Sequence, residues 1–107
     1  MGFGGANMNK MLKQMQKMQT DMVKMQDDLA DMTVEASAGG GVVKIVMTGK
    51  QEVKELFLDP EILQPEESEM VQDLLIAAFN EAVQKSQSMA TEQMSKITGG
   101  IKVPGLF

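Results

Sequence analysis

The chain has 107 residues, a net charge of −5 and no cysteine, histidine, arginine, tryptophan or tyrosine. We expect one domain, 1–107, whose modest core would gain stability from association with other copies. Without cysteine there is no disulfide framework or thiolate metal site, and without histidine and arginine the usual general base and guanidinium clamp are missing. The composition predicts a protein that is not an enzyme, with no cofactor, metal or small-molecule substrate.

Neither a secretory signal nor a membrane span is expected from the sequence. No apolar run approaches about 18 residues, and residues 1–9 lack a charged region followed by a hydrophobic stretch. A cytoplasmic protein that does not bind membranes is therefore the expectation.

The first predicted element is a helix over residues 8–32, which has an unbroken heptad seam with alternating spacings of three and four. The seam residues are Met8, Met11, Met15, Met18, Met22, Met25, Leu29 and Met32. At 1.5 Å per residue such a helix is roughly 37 Å long, which predicts a protruding arm. Methionine fills gaps adaptably, so the seam fits either a coiled-coil core or an adaptable binding surface. The spacing leaves open whether its partner belongs to the same chain or to another subunit.

Charge is distributed unevenly along the chain. Residues 1–25 contain four lysines and one aspartate, whereas residues 26–69 contain eleven acidic residues and three lysines. Lysines at the start of the predicted helix and aspartates at its end oppose the helix dipole, which indicates either a function or only solubility. Asp27 and Asp31 share one face of the helix, and we interpret them as a solvated acidic surface rather than a catalytic pair.

The middle of the chain predicts a three-stranded antiparallel meander over residues 33–58. The strands are 33–38, 42–48 and 52–58, separated by Gly39, Gly40 and Gly41 and by a turn at 49–51. Both faces are expected to carry apolar residues, with Val42 and Val46 on the face opposite Val43. One face would pack under helices, and a second copy would either cover the other face or pair with a strand edge. A homodimer built around the sheets is predicted.

Residues 59–98 predict a short turn followed by the last helix. Asp59 and Pro60 would cap the turn and carry Ile62 and Leu63 onto the core. Pro65 would start the helix, whose first half packs on the sheet through Val71, Leu74, Leu75, Ala78, Phe79 and Ala82. The two long helices would be antiparallel, which would bring Lys96, and Lys102 in a flexible tail over 99–107, towards the lysine-rich start of the first helix.

Several segments together resemble one family over essentially the whole chain. They are NMNKMLKQMQKMQTDM, VEASAGGGVVKIVMTGKQEV, LFLDPEIL and DLLIAAFNEAVQKSQ, followed by a Gly-Gly end and a tail containing proline. The turn with Asp59, Pro60 and Leu63, followed by Asp73, Leu74, Ala77, Ala78, Phe79, Asn80 and Ala82, is specific in combination. The chain resembles the YbaB/EbfC family of bacterial nucleoid-associated proteins.

This resemblance implies an α+β fold and a tweezer-like homodimer, joined through its sheets, that binds duplex DNA with protruding helices. It also implies a role in nucleoid organisation and gene expression. By position it gives the following DNA-binding residues: Lys10, Lys13, Lys17, Lys24 and Lys96, with Gln14 and Gln16 as polar contacts. Because arginine is absent, phosphate contacts rather than bidentate recognition of guanine are expected. The alternative is a methionine-rich protein interaction module without DNA, which the net charge favours.

Overall fold

The computed structural model describes the backbone of residues 2–98 and the side chains of residues 8–97. The chain forms helix α1 (Gly2–Asp31), strands β1 (Thr33–Ala38), β2 (Val43–Thr48) and β3 (Val53–Leu58), two 3-10 turns (Pro60–Ile62 and Pro65–Glu67) and helix α2 (Ser68–Thr98). This is the predicted α+β order. The molecule is 78 Å long and 23 Å by 16 Å in cross-section. The predicted tail 99–107, including Lys102, lies outside the described residues.

The three strands form one antiparallel sheet in the order β1-β2-β3. Val43 and Ile45 of β2 lie opposite Leu58 and Leu56 of β3, on the face that is turned towards α2. Val46 pairs with Glu55 but Met47 pairs with Val53, so Lys54 is the extra residue of a bulge in β3. The predicted meander is confirmed, with each of the last two strands one residue shorter than expected.

Helix α2 covers β1 and β2 with its first half, and the core lies in this layer. The buried core residues are Ala36, Val43, Ile45, Met47, Ile62, Ala78 and Ala82, with Val71, Leu74, Leu75 and Phe79 packed around them. Ala78 and Ala82 are fully buried, because a methyl side chain lets the helix approach the strands closely. The predicted apolar face of this helix is therefore confirmed.

The turn between β2 and β3 joins the sheet to both helices. The backbone N–H of Gly49 donates to the carbonyls of Leu29 and Met32 at 2.9 and 3.0 Å, satisfying acceptors at the end of α1. A Cβ at Gly49 would lie 2.6 Å from Cδ2 of Leu29, so this close approach requires glycine. From α2, the buried Ser86 hydroxyl donates to the Thr48 carbonyl at 2.8 Å. One turn thus fixes the direction in which α1 leaves the sheet.

The chain between β3 and α2 differs from the prediction in one side chain. Asp59 caps the first 3-10 turn by accepting from the N–H of Glu61 at 2.9 Å, and Pro60 is its first residue. Ile62 is buried as expected, but Leu63 is 53% exposed. The prediction for Leu63 was wrong, because a single turn directs two successive side chains to different sides. Pro65 begins a second 3-10 turn, and α2 starts three residues later at Ser68.

Val42 also departs from the sequence interpretation. It precedes β2 and packs against the core instead of lying on the opposite face with Val46. Its position in the turn after three glycines with positive φ frees it from the alternation of the strand. The open face of the sheet is accordingly more polar than predicted, and Lys44, Val46, Glu55 and Phe57 line a cleft on it.

Helix α1 is longer than its methionine seam, because it begins at Gly2 rather than Met8. Its last third packs against the second half of α2. Gln93, Lys96 and Ile97 of α2 line a cleft together with Asp21 and Met25 of α1. Since α2 uses its first half on the sheet, it ends level with the middle of α1, and residues 8–18, the distal arm, extend beyond it.

Candidate nucleic-acid interface

Four lysines of α1 form one exposed face, defined here as the lysine face: Lys10, Lys13, Lys17 and Lys24. Lys10, Lys17 and Lys24 are seven residues apart, and at about 100° per residue all four lie within roughly 60° of one another around the helix. The helix places them about 140° from the centre of the methionine seam. The heptad spacing of these lysines was readable in the sequence, but the sequence interpretation considered only their number.

The ammonium groups of the lysine face are not neutralised by carboxylates of the described chain. Among residues 8–97, the ion pair within 4 Å joins Lys85 and Glu81 of α2, at 3.2 Å. The same stripe of α1 continues into Asp28 and Asp31 near the sheet, so its charge changes sign along the helix. Positive charge is thus concentrated on the part of α1 that is farthest from the acidic middle of the chain.

The structure corrects the expected position of Lys96. Lys96 lines the cleft that contains Asp21, Lys24 and Asp28, and therefore lies beside the middle of α1 rather than near Lys10, Lys13 and Lys17. The antiparallel direction of the helices was predicted correctly. The position along α1 that the end of α2 reaches was predicted wrongly, because it depends on how many α2 residues pack on the sheet.

Gln14 and Gln16 are exposed on the distal arm but do not share the lysine face. By helical geometry they lie on opposite sides of it, each about 70–90° from its centre. The backbone carbonyl of Gln16 accepts from the Thr20 hydroxyl at 2.9 Å. The structure therefore brings four of the seven predicted residues onto one surface, with the two glutamines beside it and Lys96 near Lys24 at its proximal end.

The methionine seam divides into two parts with opposite environments. The proximal seam is Met22, Met25, Leu29 and Met32, and in it Met25 and Leu29 are only 6% and 3% exposed. The distal seam is Met8, Met11, Met15 and Met18, whose residues are 46 to 65% exposed. Within the described residues, then, the seam is partly a core of this chain and partly an uncovered surface.

Strand β3 is a second uncovered surface. It lies beside α2 rather than beneath it, and five of its six residues are exposed, including Val53, Leu56 and Phe57. The opposite edge strand, β1, is different: Lys85 of α2 donates to the Glu35 carbonyl at 2.8 Å, so α2 occupies a backbone acceptor there. The two edges therefore differ, since α2 occupies a backbone acceptor of β1 whereas β3 is largely exposed.

Two features are absent from the part of the chain that the structure describes: a metal-binding group of acidic residues and a membrane-spanning helix. No group of three or more acidic residues could hold a metal ion. Over the same residues, no helix is long and apolar enough to cross a membrane.

Residues 3–101 match the model of the YbaB/EbfC DNA-binding family. This chain belongs to that family. The family is defined by DNA binding and not by a catalytic activity. Membership thus agrees with the exposed lysine face, and it identifies DNA as the partner of this YbaB/EbfC protein.

Relatives of similar length support the assignment. The chain is 56% identical over 103 residues to a nucleoid-associated protein of Desulforamulus reducens, an alignment that covers 96% of this chain and 98% of the relative. It is 55% identical over 105 residues to a nucleoid-associated protein of Moorella thermoacetica, covering 98% and 99% of the two chains. The crystal structure of the uncharacterized protein HP0035 from Helicobacter pylori has the same fold, with a TM-score of 0.73 and 21% identity over 92% of this chain and 99% of that one.

Proposed function

We propose that this YbaB/EbfC protein is a nucleoid-associated protein that binds duplex DNA mainly through phosphate contacts from the lysine face of α1. The observation that carries the proposal is the exposure of four unpaired lysines on one side of a helix that extends away from an acidic body. Its relatives are named nucleoid-associated proteins, which supports a place in the bacterial nucleoid and an effect on its organisation and on gene expression.

The arrangement of charge gives the protein a defined way to approach DNA. Lys10, Lys17 and Lys24 are spaced by about 10 Å along the helix axis, and each can act as a point charge on a phosphate. The acidic residues concentrated in 26–69 would repel the duplex, so the distal arm approaches first. Since none of these residues is an arginine, binding depends weakly on sequence and strongly on salt.

We further propose that the protein acts as a homodimer whose interface is centred on β3. The open edge of the sheet and the exposed Val53, Leu56 and Phe57 support this location, because exposed strand edges with apolar residues favour pairing with another chain. The use of the Glu35 carbonyl by Lys85 disfavours β1 as the alternative. A dimer of this kind carries two distal arms, as in tweezers, and can engage both sides of a duplex.

The test is an electrophoretic shift of unrelated duplexes over a series of salt concentrations. If a dimer contacts about four to eight phosphates, the slope of log K against log salt should lie near −4 to −7, since each contact contributes about 0.9. Lys10→Glu/Lys17→Glu should abolish the shift. Lys50→Glu/Lys54→Glu changes the net charge equally but on the body, and should weaken binding only slightly.

Three results would contradict the proposal: no shift at low salt, a flat salt response, or equal losses in the two double variants. A methionine-rich interaction module that does not bind DNA would give the first of these results. Placement of the dimer interface is tested separately. Leu56→Glu should halve the mass measured by light scattering, because the β3 contact is lost, whereas Ile76→Glu, a substitution at an exposed residue of α2, should leave the mass unchanged.

A further inference from the structure

The distal seam is an apolar helix surface that continues a packed one. Met25 is buried beside α2 and Leu29 is buried beside Gly49 of the sheet, and the same heptad stripe runs on through Met18, Met15 and Met11 without a break. The methionines of this stripe become exposed beyond the end of α2, although the heptad pattern continues. Because the proximal seam packs on a helix, we expect the distal seam to pack on a helix as well.

Between Met8 and Met18 the flanks of the distal seam carry no charge, and the next g residue beyond Met18 is Asp21. The residues at the e and g positions beside it are Leu12, Gln14 and Gln19, and the lysines lie on the far side of the helix. In coiled coils, charges at e and g select a partner of opposite charge. Uncharged flanks select no such partner, and they allow two copies of the same surface to meet without repulsion. This favours a second copy of the chain over a foreign helix.

The distribution of charge also decides the direction of the pair. Parallel arms would place two acidic bodies side by side, whereas antiparallel arms place them at opposite ends. Antiparallel helices also align their dipoles favourably. In the antiparallel register that overlaps both distal seams fully, Met11 of one copy lies opposite Met15 of the other, and the two lysine faces point outwards.

We infer that the distal seams of two copies pair as antiparallel helices. This contact is distinct from the β3 interface of the proposed function. It forms without DNA, so its failure would leave the proposed DNA binding untouched. A chain with two separate self-complementary surfaces assembles beyond a dimer, and it links bound duplexes while the lysines stay accessible.

Because the chain contains no cysteine, single introduced cysteines report on this contact alone. Met11→Cys and Met15→Cys proteins, mixed and oxidised without DNA, should give a disulfide between the two variants. Its yield should be several-fold above that of either variant by itself and that of Lys13→Cys, which lies on the opposite side of the same helix.

A mixed yield no greater than that of Lys13→Cys would overturn the inference. That result is expected if the seam is covered by residues 99–107 of the same chain or by another protein. Efficient disulfide formation by each variant with itself, but not in the mixture, would overturn the antiparallel arrangement.

Sedimentation provides a second measurement with a conservative variant. Met11→Gln/Met15→Gln keeps side-chain length and helix propensity but makes the seam polar. The molecular mass of the wild-type assembly should rise with protein concentration to about twice that of the variant. The variant should remain a β3 dimer. Equal masses for the two proteins at all concentrations, with equal helix content, would refute the pairing.

Discussion

The two halves of α1 have the same heptad pattern and nearly opposite environments. In the proximal half Met25 and Leu29 are almost fully buried, while in the distal half Met8 and Met15 are more than 60% exposed. The charges differ in the same way, since the distal half is basic and the proximal half ends in aspartates. Periodicity therefore specifies which side of a helix is apolar, but the length of the partner helix decides how much of that side is buried.

The largest effect that separates the two halves is expected from leucine truncation. Leu29→Ala removes a buried side chain at the junction of α1, α2 and the sheet, and should reduce the free energy of unfolding by about 2–5 kcal/mol. Leu12→Ala on the distal arm should change it by less than about 0.5 kcal/mol. Urea denaturation of both variants measures the contrast, and equal losses would show that the distal arm is as well packed as the proximal half.

Gly49→Ala should be the next most damaging change. The added methyl group would overlap Leu29, whose carbonyl oxygen also lies 2.9 Å from it, and the expected loss of unfolding free energy is about 1–3 kcal/mol. In a Leu29→Ala background the cost should be smaller, because part of the obstacle is gone. Thermal unfolding of the wild type, the two single variants and the double variant completes a double-mutant cycle. Additive losses of unfolding free energy would argue against the close contact between Gly49 and Leu29.

Methionine oxidation offers a comparison within a single sample. Under mild peroxide, at protein concentrations too low for the distal seams to pair, sulfoxide should form at Met8, Met11 and Met15 several-fold faster than at Met25, because oxidation follows solvent exposure. Peptide mapping by mass spectrometry gives the individual rates, and the buried Met47 serves as an internal reference. Uniform rates would mean that α2 does not protect the proximal seam.

The smallest effect concerns the lysine face. Replacing Lys10, Lys13 and Lys17 with glutamate changes exposed residues two to four turns inside α1, beyond the reach of its dipole, and should change the free energy of unfolding by less than about 0.5 kcal/mol for each residue. The same variant should lose DNA binding. A melting temperature that falls together with binding would instead indicate that the lysines support the fold.

Much of the fold was predictable because it depends on local patterns. The β-branched runs and the glycines after Ala38 defined the meander, and the apolar spacing of α2 defined the face that packs on the sheet. The errors arose where tertiary geometry decides. The orientation of Leu63 depends on a single turn, and that of Val42 on a turn with positive φ at its glycines.

The candidate site was predictable in composition but not in arrangement. The lysines of α1 were identified through the family resemblance and their place on the predicted arm, and their common face follows from helical geometry once their spacing is considered. Lys96 could not be positioned from the sequence, because its location depends on how many residues of α2 the sheet occupies. The joining role of the turn at Thr48 and Gly49 had no local signal either, since it arises from contacts between distant segments.

The hydrogen bond from Lys85 to the Glu35 carbonyl has a consequence for solubility. It occupies one backbone acceptor of β1, so a strand that added at this edge would have to displace the Lys85 side chain. In the β3 dimer that we propose, the two β1 strands are the free edges of the sheets, and Lys85 contacts each of them. Lys85 thus opposes the edge-to-edge strand addition that leads to aggregation.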